Sequence, residues 1–438
     1  MPKYMLFTTV ASDGIGDLTH LEDIVLALRG DPYFNTVELV LDVFDAGFSR
    51  ERYNEIVACV ERLNIKHYVR SALDMPPFRD SGMDEREAQD ARESCQFIGI
   101  SLDRGIGLRL QQQYAPTALL KRIGEHEDHK WPYIEEQTMV RSLGLSPDCM
   151  GIKISALPAD RPMKEHINTI MQQDAVFYHA LMQHTGGSDF EQFLQDAVLV
   201  PAYFNKPNDA LDFLRVLGQY GETLAGHKEI VVYLSGTKEL SSPGFARLIK
   251  HKLRETDFTH IELIDATTGH PVTIRLSDKT PEKTLTVFTG FFVTTDSFHA
   301  MHQLAPKLAG VSGDNTLERC ISLNILPYYY STNADRKIET LTALQRISQL
   351  AEIEMTPAAR DSFRDFFNHD ALISGSKLLI DFKAMIDAWP NMTTYLRAHH
   401  NFYDKLRDVM LEGLAPENRL DASHDEDITA DVSSMRPR

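Results

Sequence analysis

Tyr4-Met5-Leu6-Phe7-Thr8-Thr9-Val10 runs into Asp13-Gly14-Ile15-Gly16-Asp17, and Leu18, Leu21, Ile24, Val25 and Leu28 follow. The first stretch is a short apolar run, the second breaks it with glycines, and the third recurs at i, i+3, i+4 and i+7. Strand, tight turn and amphipathic helix in that order open a βαβ unit. The same alternation continues outward. Val37 to Phe44 reads as a strand, Tyr53 to Leu63 as a helix with Ile56, Val57, Val60 and Leu63 on one face, and Lys66–Arg70, Cys95–Leu102 and Met150–Ile154 as strands. Such alternation predicts a parallel sheet with helices on both faces.

A second α/β run starts later. Glu229–Leu234 reads as a strand ended by Ser235-Gly236-Thr237, Pro243–Arg254 as a helix, and His260–Asp265 and Leu285–Phe292 as strands. Phe298–Leu308 reads as a helix, Ala309–Val311 as a strand, Thr316–Leu323 as a helix and Leu326–Tyr330 as a strand. Between the two runs, Asn168–His184 and Phe190–Ala197 read as helices and Val198–Val200 as a buried strand. Arg79–Glu93 is highly polar and reads as an exposed loop or helix, and Gly124–Trp131 is polar and reads as a loop. The expected fold is α/β: two Rossmann-like domains facing a cleft, with a helical C-terminal extension. The expected bounds are 1–215, 216–335 and 336–415. The acidic, apolar-poor stretch 416–438 is expected to be disordered.

Composition narrows the function. The 438 residues suffice for two hydrophobic cores. Asp plus Glu outnumber Lys plus Arg by 63 to 45, a formal charge of −18, which disfavours general nucleic-acid binding. Cys59, Cys95, Cys149 and Cys320 are widely spaced, which excludes a dense disulfide framework and suits a reducing compartment. The N-terminal apolar run is too short for a signal h-region, and no stretch is long enough to span a membrane. The expected residence is the cytoplasm, with signal-less secretion as the alternative.

Three loops carry candidate chemistry, each at the expected C-terminal end of a strand, where open α/β sheets bind ligands. In Asp13-Gly14-Ile15-Gly16-Asp17 the glycines Gly14 and Gly16 let the backbone turn tightly beside a ligand. Thr19 stands where a dinucleotide fingerprint has its third glycine, and two carboxylates repel a pyrophosphate, so the pair Asp13 and Asp17 suits a general base beside an acceptor. The plainer reading makes Asp13 a turn cap and Asp17 a helix N-cap. Ser235, Gly236 and Lys238 offer N–H groups, a hydroxyl and a cation to a phosphate, or mark an ordinary strand end. Ser312-Gly313-Asp314-Asn315-Thr316 leads a strand into a helix whose start can cradle a diphosphate, and Glu318 can take a ribose diol. A capping box with Asn315 as N-cap and Glu318 three residues on is compatible with the same use.

The histidines form no metal set. His126-Glu127-Asp128-His129 lacks the HExxH spacing, His299 and His302 are a pair alone, and His399-His400 are adjacent. There is no GxSxG elbow. A dedicated metal site is not expected.

With these loops in this order the chain resembles the GT-B glycosyltransferases over about residues 3–390, and within them the protein-arginine rhamnosyltransferases. Asp13 and Asp17 match that family's opening strand–Asp–glycine turn–Asp, and Ser312-Gly313-Asp314-Asn315-Thr316 its turn into the nucleotide-site helix, with threonine at 316 in place of serine. Val200-Pro201-Ala202-Tyr203-Phe204-Asn205 is similar to its aromatic segment, which implies that Tyr203 and Phe204 stack a nucleobase. The resemblance implies an inverting, metal-independent transfer from a nucleotide-sugar to a protein or small-molecule acceptor, with no cofactor. It implies Asp13 as base and Asp17 as its orienting partner. It also implies a leaving diphosphate held at Asn315 and Thr316, by Ser235 and Gly236, and by Lys238. A nucleotide-sugar epimerase and a non-catalytic binding protein on the same scaffold are the competing readings. An NAD(P) oxidoreductase is disfavoured by the incomplete fingerprint.

Overall fold

The structure, a computed structural model, describes residues 4–412 apart from 12–15, 35–36, 48, 72–84, 102–103, 116–117, 125–137, 148, 156–161, 185–189, 227, 280–282, 306, 331–334 and 369–379. The described chain forms two compact units, residues 1–151 with 401–438 and residues 152–400. Each is built on its own sheet, and each is Rossmann-like.

In the first unit six strands are all parallel: β1 (Tyr4–Ala11), β2 (Glu38–Asp45), β3 (Lys66–Ser71), β4 (Ser94–Ile100), β5 (Leu119–Gly124) and β6 (Thr138–Ser142). Their order is β3-β2-β1-β4-β5-β6. The order reverses between β1 and β4, so the switch point where such sheets take ligands lies past Ala11 and Ile100. The helix Gly16–Gly30 returns along the sheet and buries Leu18, Leu21, Ile24, Val25 and Leu28, the five apolar positions of its sequence pattern. Within the polar segment read as an exposed loop or helix lies the helix Glu85–Glu93, which buries Glu87 and Asp90 rather than exposing them. Each has a partner. Arg70 Nε lies 3.3 Å from Glu87 while its guanidinium donates to Asp42 at 2.6 and 2.7 Å. Asp90 accepts from Tyr68 Oη and Lys66 Nζ, each at 2.7 Å. Burial of carboxylates is tolerated where they are paired and hydrogen-bonded.

The helix Phe402–Leu411 completes this unit. Phe402, Leu406, Val409 and Met410 enter the same core cluster as Leu18, Leu21 and Ile98. Its C-terminal carbonyls are capped from the sheet. Lys121, fully buried on β5, donates Nζ to the carbonyl of Val409 and, at 3.1 Å each, to those of Met410 and Glu412. Gln96 of β4 also donates to Met410. At the surface Arg407 makes a two-pronged pair with Asp31 at 2.7 and 3.0 Å.

The second unit has seven strands: β7 (Ala197–Tyr203), β8 (Glu229–Ser235), β9 (His260–Asp265), β10 (Pro271–Arg275), β11 (Thr284–Thr289), β12 (Leu308–Val311) and β13 (Leu326–Tyr329), in the order β10-β9-β11-β8-β7-β12-β13. All pairings are parallel except β10 on β9, a hairpin that the sequence reading missed because β10 is an exposed edge strand. The reversal here falls between β7 and β12.

Three expectations are corrected. The boundary expected between 215 and 216 lies at 151/152, because β7 pairs with β8 from Ala197↔Glu229 to Tyr203↔Ser235 and so joins the second sheet. The helical extension is divided: the helices Asp335–Ser348, Pro357–Phe366 and Phe382–His399 belong to the second unit and Phe402–Leu411 to the first. Met150–Ile154 is not a strand; Gly151 makes only an isolated bridge with Gly144. The acidic stretch 416–438 lies outside the described residues.

His302, on the helix Thr295–Leu304, is almost fully buried against Phe298, and burial lowers its pKa to about 4 although the Phe298 carbonyl opposes the shift. The folded state therefore favours the neutral ring. Stability from this group is intact above pH 6.5, where the unfolded chain is also neutral, and is lost as the pH falls from 6.5 towards 4. At pH 5 the loss is about 2 kcal/mol. His302→Met is expected to flatten that part of the stability–pH curve in urea melts. An unchanged slope between pH 7 and pH 5 refutes the assignment.

Candidate functional site

Three neighbouring strands bring the sequence motifs of the second unit to one edge. Tyr203 at the end of β7 is paired with Ser235 of β8 on one side and with Val311 of β12 on the other. Adjacent strands lie about 4.8 Å apart. Ser235-Gly236, Tyr203-Phe204 and Ser312-Gly313 therefore leave the sheet side by side, at the switch point between β7 and β12.

The backbone there is closely fitted. Gly236 has φ +89°, and a Cβ on it would sit 2.3 Å from the carbonyl oxygen of Phe204. The half-buried Tyr203 ring lies between two glycines, with ring carbons 3.5 Å from the Cβ position of Gly236 and 3.6 Å from that of Gly313. Among the described residues, two buried hydroxyls at this edge, Thr237 Oγ1 and Ser312 Oγ, have no hydrogen-bond partner. A buried hydroxyl without a partner is uncommon in folded proteins.

The helix Asp314–Ser322 starts directly after β12. Gly313 is its N-cap, and no side chain caps it. This corrects Asn315 as N-cap: Asp314 already lies in the first turn, and Leu317 N–H donates to the Gly313 carbonyl at 3.0 Å. An uncapped helix start presents N–H groups and a partial positive charge to an anion. Asp314 Oδ1 accepts from Tyr329 Oη. Thr316 is half-buried and Asn315 exposed at this start.

Two candidates are corrected by their surroundings. Phe204 is fully buried against Phe213 and Tyr328, with ring centroids at 5.5 and 6.2 Å, and belongs to the core rather than to a ligand surface. Glu318 is buried and engaged by Lys153. It accepts from the Lys153 backbone N–H at 2.9 Å and lies 3.4 Å from Lys153 Nζ, which also donates to Asn315 Oδ1 at 3.1 Å. Its carboxylate fastens the segment around Lys153 to the helix instead of meeting a ribose. Lys238 opens the short 3-10 turn Lys238–Ser241 after β8, and its side chain is outside the described residues.

The sequence reading missed Lys153, whose signal was a lysine inside the apolar run Met150–Ile154. It also missed Phe292. This ring is 97% exposed at the same sheet edge, past β11, while Phe291 before it and Thr294 two residues on are pinned. The Phe291 carbonyl accepts from Tyr233 Oη at 3.0 Å, and Thr294 N–H and Oγ1 both donate to Asp174 at 3.0 and 2.8 Å. An exposed aromatic held on an ordered loop suits stacking.

In the first unit Asp13 and Gly14 lie outside the described residues. Gly16 and Asp17 form the first turn of the helix that follows β1, which places Asp17 inside the helix rather than at its N-cap. At the same switch point Ser101, just past β4, holds φ +49°, and its Oγ lies 3.3 Å from Nδ1 of the buried His20. Among the described residues, the other two non-glycine positions with positive φ are asparagines just past helix ends, Asn64 and Asn324, where that conformation is common. Among the described residues no group of three or more His, Cys, Asp or Glu could hold a metal, and no helix is long and apolar enough to cross a membrane.

The sequence matches no protein-family model and no curated protein. Among solved structures it is similar to a glycosyltransferase from Rickettsia africae, at 10% identity over 94% of this chain and 97% of that one, with TM-score 0.45. It is also similar to a putative UDP-N-acetylglucosamine 2-epimerase from Listeria monocytogenes, at 11% identity over 95% and 98%, with TM-score 0.41. The N-terminal domain of Candida albicans trehalose-6-phosphate phosphatase is similar at 8% identity over 94% and 97%, with TM-score 0.41. The class defined by this chain's own sheets is a pair of Rossmann-like units, with candidate loops at the switch point of each.

Proposed function

We propose that the chain is a glycosyltransferase of the GT-B type. It moves a hexosyl or deoxyhexosyl group from a nucleoside-diphosphate sugar to a protein or small-molecule acceptor, by direct displacement with inversion and without a metal. The observation that carries the reading is the convergence of Ser235-Gly236, Tyr203 and Ser312-Gly313 on one sheet edge beside a helix start with no side-chain cap and a buried hydroxyl that has no partner among the described residues. That edge suits a diphosphate, and the half-buried ring of Tyr203 and the exposed ring of Phe292 suit a nucleobase.

In this reading the first unit serves the acceptor. Asp13 takes the acceptor proton as the acceptor atom bonds to the anomeric carbon, with Asp17 orienting it. The bond from that carbon to the diphosphate oxygen breaks, and the electron pair leaves with the diphosphate. Developing charge there is stabilised by fixed N–H dipoles at Asn315 and Thr316 and at Gly236, with Lys238 as a further candidate. Net charge of −18 is no obstacle, because the anion is met by local dipoles.

A thermal-shift panel of nucleoside diphosphates and nucleotide-sugars is the test, since a ligand bound only to the folded state raises the melting temperature. A shift with one nucleotide series names the donor. With that donor, Asp13→Asn is expected to lower turnover by about 10²–10⁴-fold while leaving donor affinity unchanged. If no nucleotide shifts the melting temperature, the transferase reading falls.

A further inference from the structure

The helix start at Asp314 is an acidic place to put an anion. Asp314 sits in its first turn, and the buried Asp209 sits in the first turn of the helix Pro207–Ala225 that follows β7. Burial lowers the pKa of Lys337, in the first turn of the helix Asp335–Ser348, and the charges of Asp314 and Asp209 oppose that shift. Lys337 is half-buried, with its Nζ 4.8 Å over the ring of Tyr329, whose hydroxyl donates to Asp314. Among the described residues its ammonium has no hydrogen-bond or ion-pair partner. A half-buried lysine resting on the ring whose hydroxyl serves Asp314 has, among the described residues, its hydrogen-bonding donors unspent. Ser312 Oγ, buried at the same helix start, likewise has no partner among the described residues.

We propose that Lys337 is the charge-compensating residue of an anion site at this helix start. It offsets Asp314 and Asp209 so that a phosphate or diphosphate can approach, and it makes the site read the phosphate rather than the nucleoside. The proposal rests on the donor-site reading above for the nucleotide, but not for the anion. Lysine stems pack on rings while their ammonium groups remain available to an anion. Without Lys337 the site would present two uncompensated carboxylates, so the loss exceeds that of one contact. Removing Asp314's charge as well should then restore binding, which the loss of a merely structural lysine does not predict.

The experiment is calorimetric titration of the full chain with inorganic pyrophosphate, with UDP, GDP, dTDP and ADP, and with the parent nucleosides. Lys337→Met keeps the aliphatic stem over Tyr329 and removes the charge; Lys337→Arg keeps the charge, and Lys337→Gln serves if the methionine variant does not fold. The expected result is a loss of about tenfold or more in pyrophosphate and nucleoside-diphosphate affinity for Lys337→Met. Nucleoside affinity is unchanged, Lys337→Arg binds, and adding Asp314→Asn to Lys337→Met recovers most of the loss. Lys337→Met binding pyrophosphate as tightly as wild type overturns the proposal, as does a double variant no better than the single one. Lysine-dependent pyrophosphate binding without any nucleotide binding keeps the anion site and removes the donor reading. Binding of neither removes both.

Discussion

Lys121→Met is expected to lower the unfolding free energy of the first unit by about 3–5 kcal/mol. The side chain is fully buried and its ammonium serves the carbonyls of Val409, Met410 and Glu412 at the C-terminus of the last helix. Methionine fills similar space but leaves those acceptors unmet and removes a cation from the negative end of the helix dipole. Arg407→Ala is the comparison. Arg407, on the same helix as the capped carbonyls, binds Asp31, but its side chain is 42% exposed, so its loss is expected to cost under about 1 kcal/mol. Urea denaturation followed by fluorescence and circular dichroism separates the two. Equal effects from the two variants would show that the buried cap contributes nothing beyond a surface pair.

Gly236→Ala is the second large effect. Two costs combine: φ +89° disfavours any side chain, and the new Cβ would lie 2.3 Å from a backbone oxygen of Phe204 that belongs to the sheet edge itself. Together they amount to about 3–4 kcal/mol. Gly226→Ala isolates the first cost, because Gly226 has φ +60° with nothing within 4 Å of its Cβ position, and should lose only about 1 kcal/mol. In the proposed site Gly236→Ala also displaces Tyr203 and Phe204 relative to Ser235. Nucleotide affinity should therefore fall with stability, whereas Gly226→Ala should leave it intact. Comparable melting temperatures for the two variants would refute the close-approach argument.

The alternation of strands and helices was legible in the sequence where side-chain periodicity agreed with burial. β1 to β4, β8, β9, β11, β12 and β13 fall on the apolar runs that predicted them. β5 was not, because Leu119-Leu120-Lys121-Arg122-Ile123-Gly124 carries a lysine in its middle, and only a helix C-terminus nearly 300 residues away makes its burial tolerable. The unit boundary was misplaced for a related reason. Val198–Val200 was read correctly as a buried strand, but pattern alone does not say which sheet a strand joins. In the site, backbone features were readable: Gly236 and Gly313 sit where turns and close approach were expected. Side-chain roles were less so. Phe204 and Glu318 have the residue types of ligand contacts, but Phe213 and Lys153 occupy them, and those contacts come from elsewhere in the fold.

The last helix belongs to the first unit, although residues 152–400 intervene. On a ribosome making about 5–20 residues per second, the wait between residue 151 and residue 411 is roughly 13–50 s. Throughout that interval the nascent first unit lacks the cover that Phe402, Leu406, Val409 and Met410 give its core, and the ammonium of Lys121 lacks its carbonyls. Vectorial synthesis thus leaves the N-terminal third waiting for the helix Phe402–Leu411, and stalled or truncated chains ending before residue 402 are the species of this protein that chaperones should hold longest.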